Sequence, residues 1–363
     1  MRRLVHLAAS GIFWVGYGAG RAGATRLARL LFLFAHKISP DHFQALRFSA
    51  WCLRESGDPS GAIAYYRKLL KLYPSFVDGR VELGFAFGDV ERYPEAIEQF
   101  EQALDHAPQD AEARRGLAAM LLSINHSADV ISVCEELLRD SPADWVGWWY
   151  LGRARTNTCQ WQDALAAFET AQALHSDTAL AYDHASVLIQ MDRFVEAEAV
   201  VKAALATYPS DRILRAALAW ILMEVGRHVD AEALLQEILG EDPADVPARH
   251  VLAALLGESA RPAEAAAVAE RLRAEFPEEA TTHATLGRVA LKAGRSQDAL
   301  TAYEAAERIE PGRLDFTAGR ATALKRLGRH SEAEALVSAL VGRDPSYFDH
   351  NAWCAELTTL RKP

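Results

Sequence analysis

The sequence is poor in the residue patterns that build metal sites and redox centres. Its 363 residues include only four cysteines, and no two are close enough in sequence for a zinc knuckle or a CxxC redox pair. Such scattered cysteines are typical of buried thiols in a reducing compartment; they are Cys52, Cys134, Cys159 and Cys354. The twelve histidines form no HExxH motif and no dense cluster with acids or cysteines. We therefore predict that the protein holds no metal ion and no other cofactor.

Positive charge is also scarce over the chain as a whole. Lysine and arginine total 39 against 49 acidic residues, and the resulting net charge of -10 argues against a general affinity for nucleic acid. No serine or cysteine has a convincing base partner in sequence, and no pair of carboxylates is singled out for catalysis. A GxGxxG match at residues 18–23 lacks the surrounding βαβ unit that dinucleotide binding needs. We predict a non-catalytic protein that binds neither nucleic acid nor a small-molecule substrate.

Proline and glycine are modest in number, and half of the residues are hydrophobic. This composition excludes a disordered chain. Alanine is abundant and arginine greatly outnumbers lysine, a bias that fits a GC-rich bacterial genome.

The prolines recur at an interval of 34 residues. Ser176 takes the expected place between two proline series, and one residue is missing before the second. The series are Pro40, Pro74, Pro108 and Pro142, then Pro209, Pro243, Pro277, Pro311 and Pro345. When each proline is counted as position 32 of a unit, positions 8 and 20 hold small residues and position 24 is usually large and apolar. Small residues at fixed positions allow close helix packing, so each unit is predicted to be a pair of helices.

The turn inside each unit has its own signal. Glycine recurs there, and asparagine takes the same slot once; the residues are Gly57, Asn125, Gly226, Gly294 and Gly328. These residue types accept the left-handed conformation that often ends a helix. The proline then ends the second helix of the unit.

This pattern resembles the tetratricopeptide repeat family over about residues 9–345. The resemblance implies an all-α, right-handed superhelical solenoid of about ten helix pairs, with a capping helix at the C-terminal end. It divides the chain into a head (residues 1–42), a repeat array (43–345), and a capping helix and tail (346–363). In this family the first helices line a concave groove, chiefly through their positions 2, 5, 9, 12 and 13.

Those groove positions are rich in aromatic residues and arginine near the middle of the chain. Such side chains commonly anchor protein interfaces because they bury much area at limited entropic cost. For Trp149, Tyr182 and Trp220 the alternative interpretation is packing between units. The predicted partner-binding residues are Trp51, Phe85, Trp149, Arg153, Asn157, Tyr182 and Trp220.

The head differs from the rest of the chain in charge. Residues 1–42 carry six basic residues and one acid, a net charge of about +5, which leaves the remainder near -15. Three interpretations stay open: a divergent first repeat, a short membrane span at residues 4–20, or a cleaved signal. We expect the head to dock on a membrane or a membrane protein through Phe13, Trp14, Arg26 and Arg29.

The leading functional hypothesis is a non-catalytic scaffold or adaptor that recruits a partner protein through its groove. The alternative is a regulatory or assembly subunit in stable complex with an enzyme, for instance in envelope polysaccharide biosynthesis. The predicted location is the cytoplasm, with the head at the inner membrane. The signal interpretation would instead place the chain in the periplasm.

Overall fold

The computed structural model describes residues 2–21, 25–39, 41–259, 261–345, 347 and 352–360. Over these residues the chain forms twenty α-helices and a C-terminal 3₁₀ helix, Ala352–Leu360, with no strand. Consecutive helices pack against each other from the first to the ninth and from the tenth to the twentieth, and the predicted all-α fold of about ten helix pairs is confirmed. The glycines at positions 18 and 20 lie inside the first helix, which is not the loop that a phosphate-binding motif requires.

The chain divides into two compact units, Met1–Asn157 and Thr158–Pro363. The described residues of the first unit form α1 (Arg2–Arg21), α2 (Thr25–Ile38), α3 (Phe43–Glu55), α4 (Pro59–Leu72), α5 (Val77–Gly88), α6 (Tyr93–His106), α7 (Ala111–Ser123), α8 (Ser127–Asp140) and α9 (Trp145–Asn157). Those of the second form α10 (Trp161–Leu174), α11 (Thr178–Gln190), α12 (Phe194–Thr207), α13 (Arg212–Glu224), α14 (His228–Glu241), α15 (Val246–Glu258), α16 (Pro262–Glu275), α17 (Ala280–Lys292), α18 (Ser296–Ile309), α19 (Leu314–Arg326), α20 (His330–Arg343) and the 3₁₀ helix. Odd-numbered helices are the first helices of their pairs, and even-numbered helices are the second.

The turn between the two helices of a pair has positive φ, as predicted. Gly57, Gly226, Gly294 and Gly328 have φ between 74° and 80°, and Asn125 has φ 59°. The same slot is filled elsewhere by residues that gave no such signal: Glu91, Cys159 and Asp192, with φ from 54° to 60°. A left-handed residue here lets the chain leave one helix and enter the next within a few residues.

In two of the pairs the large residue at position 24 inserts between glycines of adjacent first helices. Phe100 on α6 is fully buried between Gly84 on α5 and Gly116 on α7. A β-carbon at Gly84 would lie 2.8 Å from Phe100 Cζ, which is closer than packed atoms approach. Tyr303 on α18 has the same relation to two glycines, at positions 287 and 319.

Arginine at position 4 of the first helix ties the two helices of some pairs together. Arg249 on α15 is nearly buried and donates to both carboxylate oxygens of Glu275 on α16, at 2.6 and 2.9 Å. Arg215 on α13 instead binds two carboxylates on α14, those of Glu237 and Glu241, at 2.8 and 2.7 Å. Charge-assisted bonds of both kinds help to fix the crossing geometry of the two helices.

Candidate partner-binding surface

The predicted groove residues of the first unit lie on the first helices. Trp51 on α3 is 44% exposed. Phe85 on α5 is half-buried and meets the Phe100 ring edge-to-face, with ring centroids 5.0 Å apart. The Arg54 guanidinium lies 5.2 Å from the Phe85 centroid and also binds Glu82 at 3.1 Å. Burial raises the pKa of the Glu82 carboxyl, and Arg54 opposes this rise.

One face of α9, the first helix of the fifth pair, carries two stacked aromatic rings. Trp145 and Trp149 stack with ring centroids 6.0 Å apart and planes 17° from parallel. Arg153, which is exposed, places its guanidinium 5.8 Å from the Trp149 ring, and Asn157 is exposed one turn further on. Trp148 points elsewhere, because its indole N–H donates to the Pro142 carbonyl at 2.9 Å. The structure therefore brings Trp149 and Arg153 together as one aromatic and cationic surface.

In the second unit, two of the predicted residues lie on successive first helices. Tyr182 on α11 is 42% exposed. Trp220 on α13 is half-buried, and the Arg288 guanidinium from α17 lies 4.5 Å from its ring centroid. Arg288 also approaches Glu224 on α13 to 3.7 Å, so a single side chain reaches from α17 past α15 to α13. Burial raises the pKa of Glu224, and Arg288 opposes this rise.

Arg288 is the main residue that sequence reasoning left out of this site. Arg288 occupies position 9 of its repeat, which is a groove position. Its contact with Trp220 joins two first helices that lie two repeats apart. Only the curvature of the second unit brings those helices within reach of one another. The predicted residues fall into two separate sets, because Trp51, Phe85, Trp149, Arg153 and Asn157 belong to the first unit and Tyr182 and Trp220 to the second.

The histidines on first helices have structural partners. His250 on α15 bonds through Nδ1 to Thr285 Oγ1 at 2.8 Å, and burial lowers its pKa. His283 on α17 bonds through Nε2 to the Pro277 carbonyl at 2.8 Å. Within the part of the chain that the structure describes, no group of three or more His, Cys, Asp or Glu residues could hold a metal ion.

The cysteines that the structure describes have the character of core residues. Cys52 and Cys134 are buried, and Cys159 is partly buried in the turn before α10. Burial raises the pKa of Cys134 to about 12 and that of Cys159 to about 11. Both thiols are therefore protonated at neutral pH, the unreactive state. The side chain of Cys354 lies outside the described residues.

The head folds as the first helix pair, with α1 packed against α2 and α3. Phe13, which is 3% exposed, has its ring centroid 5.3 Å from that of Phe32 and 5.2 Å from that of Phe48. Phe13 therefore supports the head from within, whereas its neighbour Trp14 is 64% exposed. The side chains of the other two predicted docking residues, Arg26 and Arg29, lie outside the described part of the structure.

Large apolar residues are exposed on both helices of the head. On each helix, residues spaced three, four or seven apart form one stripe. The α1 stripe consists of Leu7 and Trp14, with Val15 exposed beside it, and the α2 stripe of Leu27, Leu30 and Phe34, all at least 51% exposed. We refer to them as the head stripes. Among the described residues, no helix combines the length and the apolar character needed to cross a membrane.

Comparisons with known proteins agree with this architecture. Two family models, both described as tetratricopeptide repeat, match the chain, one at residues 19–75, 182–246 and 284–348 and the other at 89–155 and 222–289. The human protein named tetratricopeptide repeat protein 33 is 27% identical over 88 residues, which are 24% of this chain. The match spans only 34% of that protein's length.

Two solved structures show the same fold over most of the chain. In the Cut9-Hcn1 hetero-tetramer of the APC/C, the similar chain is 15% identical with a TM-score of 0.63, and the match covers 92% of this chain and 66% of that one. A tetratricopeptide repeat protein from Parabacteroides merdae is 13% identical with a TM-score of 0.54, and the match covers 78% of this chain and 98% of that one. Identities this low show a common fold alone. The family models, one of which by itself matches more than half of the residues, carry the assignment, and the chain belongs to the tetratricopeptide repeat family.

Proposed function

We propose that this chain is a non-catalytic scaffold that recruits a partner protein through the exposed faces of its first helices. The observation that carries the proposal is the surface formed on α9 by Trp145, Trp149 and Arg153. Two stacked, half-buried indoles beside an exposed guanidinium offer a partner apolar area together with a charge that binds carboxylates. The half-buried Trp220 with Arg288 repeats the same combination in the second unit.

Support for a protein partner also comes from the fold. Repeat arrays expose long faces of side chains from successive helices, and an extended or helical peptide can be held along such a face. The structurally similar chain of the Cut9-Hcn1 hetero-tetramer was crystallised in a complex of proteins.

We further propose that the head docks this scaffold on a membrane or a membrane protein. The head stripes would be covered in the docked state, because exposed apolar patches of this kind commonly mark interaction surfaces. The first-helix faces of the later pairs would then remain available to a second protein. The location that we propose for the chain is the cytoplasmic face of a bacterial inner membrane.

The experiment that tests the scaffold is affinity capture of the full chain and of a Trp149→Ala/Arg153→Ala/Trp220→Ala variant from the native membrane and soluble fractions. The variant should bind the partner at least about tenfold more weakly, because the truncation of each anchor residue typically costs about 1 kcal/mol or more of binding free energy. Circular dichroism should show an unchanged helical signal. A variant that keeps the partner in full would refute the proposed surface.

A matched control is available on the second helices. Val195 on α12 and Val229 on α14 are 78% and 82% exposed, and neither lies on a first helix. Their replacement by alanine removes exposed apolar area elsewhere on the molecule and should leave capture unchanged. An enzyme recovered at constant stoichiometry under all conditions would favour the regulatory-subunit alternative, whereas exchangeable partners favour the scaffold.

A further inference from the structure

The α2 stripe is specific to the first pair, and this sets it apart from ordinary surface residues. Leu27, Leu30 and Phe34 occupy positions 19, 22 and 26 of their unit. In the nine later units, position 19 is glycine or an acid, and positions 22 and 26 hold only alanine or polar residues. Positions 19, 22 and 26, on the second helix of each unit, therefore carry large apolar residues only in the head.

The charge around the stripes has one sign. No acidic residue occurs before Asp41, whereas Arg26 and Arg29 alternate with the α2 stripe in sequence and Lys37 follows it. Arg2 and Arg3 are the first residues of α1, and Arg21 is its last residue. An apolar stripe among basic residues is the pattern of a helix that lies in the interface of an anionic lipid layer. A second copy of this chain is a poorer occupant, because two heads of about +5 would repel each other.

The packing of α1 decides how such a head would meet lipid. Ala9 and Phe13 are buried against Phe32 and the third helix, and a β-carbon at Gly16 would lie only 3.0 Å from atoms of Leu31 and Phe32. A transmembrane α1 would have to withdraw these residues from the core that they share with α2 and α3. Lying flat, the pair keeps this core and buries only the stripes, at a depth of about 5–10 Å.

We infer that the α1–α2 pair is an interfacial membrane-binding element whose ligand is an anionic lipid surface. This inference rests on the proposed docking of the head and names its partner. Hydrophobic burial of the stripes and attraction to the lipid charges act together, so neither contribution alone is expected to suffice.

The test is flotation of the full chain with vesicles of phosphatidylcholine alone or with about 30% phosphatidylglycerol. We expect binding to the anionic vesicles, little binding to the neutral ones, and a fall of at least about tenfold when NaCl is raised from about 0.1 to 0.5 M. Trp14 should be quenched by brominated acyl chains, and Trp14→Phe should remove that part of the signal.

The discriminating variant is Leu27→Gln/Leu30→Gln/Phe34→Gln, which should weaken vesicle binding at least about 100-fold, because three exposed apolar side chains are removed. The control Val195→Gln/Val229→Gln alters two even more exposed apolar side chains of later pairs and should bind as the wild type does. Equal binding by the triple variant would overturn the inference, and so would equal binding to neutral vesicles. Sedimentation equilibrium supplies another refutation: self-association that the triple variant abolishes would make the stripes a contact between copies.

The same proteins separate this inference from the proposed function. The Trp149→Ala/Arg153→Ala/Trp220→Ala variant should float with anionic vesicles although it loses its protein partner. The full chain could instead bind neither kind of vesicle and still co-purify with native membranes, with the Leu27→Gln/Leu30→Gln/Phe34→Gln variant losing that co-purification. The head would then be bound to a membrane protein. That result would refute the lipid inference and leave the proposed scaffold and its docking intact.

Discussion

A single methyl group added at Gly116 tests the packing principle of the repeat core. In Gly116→Ala the new carbon would overlap Cε1 and Cζ of Phe100, whose ring is fully buried and also bounded by Gly84. Overpacking of this kind costs about 1–3 kcal/mol. The gain in helix propensity from glycine to alanine, about 1 kcal/mol, offsets part of that cost. We expect a net destabilisation of about 1 kcal/mol.

Gly11 supplies the matched control, because it lies in the middle of α1 and a β-carbon there would have no neighbour within 4 Å. Gly11→Ala should stabilise the chain by about 0.5–1 kcal/mol. Urea unfolding measures both variants, together with hydrogen exchange in α6 and α7 for Gly116→Ala and in α1 for Gly11→Ala. Phe100→Leu in the Gly116→Ala background should recover part of the loss, as expected for residues in contact. If Gly116→Ala stabilised as much as Gly11→Ala, the reasoning about the inserted ring would be refuted.

Three further predictions concern turns, titration and ion pairs. Glu91→Gly should stabilise by about 0.5–1 kcal/mol and Gly226→Ala destabilise by about 1 kcal/mol, because both residues have positive φ; thermal unfolding checks this. Burial lowers the pKa of His184 to about 4, so the unfolded chain binds a proton first as the pH falls below about 6.5. The free energy of unfolding should therefore drop by about 2 kcal/mol at pH 5. Urea unfolding midpoints measure this loss, which should be absent in His184→Gln. Arg249→Ala should cost about 1–2 kcal/mol and Arg249→Met less, because the methionine keeps the apolar packing while losing the pair with Glu275; equal losses would assign the whole effect to charge.

The repeated features of the fold could be predicted from the sequence because each occurs many times. The turn position that holds Gly226 can be recognised because glycine recurs at the same position in several repeats. Comparing many repeats makes this preference visible despite the exceptions. The exceptions themselves were missed: Glu91, Cys159 and Asp192 adopt positive φ although nothing in their chemistry requires it. There the short connection between two successive helices requires the left-handed conformation and overrides the residue's own preference.

The candidate site was less predictable, because exposure depends on neighbours that the repeat does not specify. Trp149 and Arg153 are four residues apart on one helix, so their contact follows from helical geometry. The contact of Arg288 with Trp220 depends instead on how successive pairs are inclined within the second unit. Phe13 and Trp14 are adjacent in an apolar stretch, and only the position of α2 decides that one is buried and the other exposed.

One hydrogen bond contributes directly to the curvature of the second unit. The Trp161 indole N–H at the start of α10 donates to Asp344 Oδ2 at 3.0 Å, across 183 residues of sequence. In a repeat array each pair normally contacts only its neighbours, so a bond between the fifth and the tenth pair fixes the sum of all the inclinations between them. Asp344 is 1% exposed, and a hydrogen bond to such a carboxylate contributes about 1.5–3 kcal/mol. Trp161→Phe should therefore weaken hydrogen-exchange protection in α10 and α20 together and leave α14 unchanged. Loss of protection in α10 alone would mean that Trp161 packs locally and that stacking by itself sets the curvature.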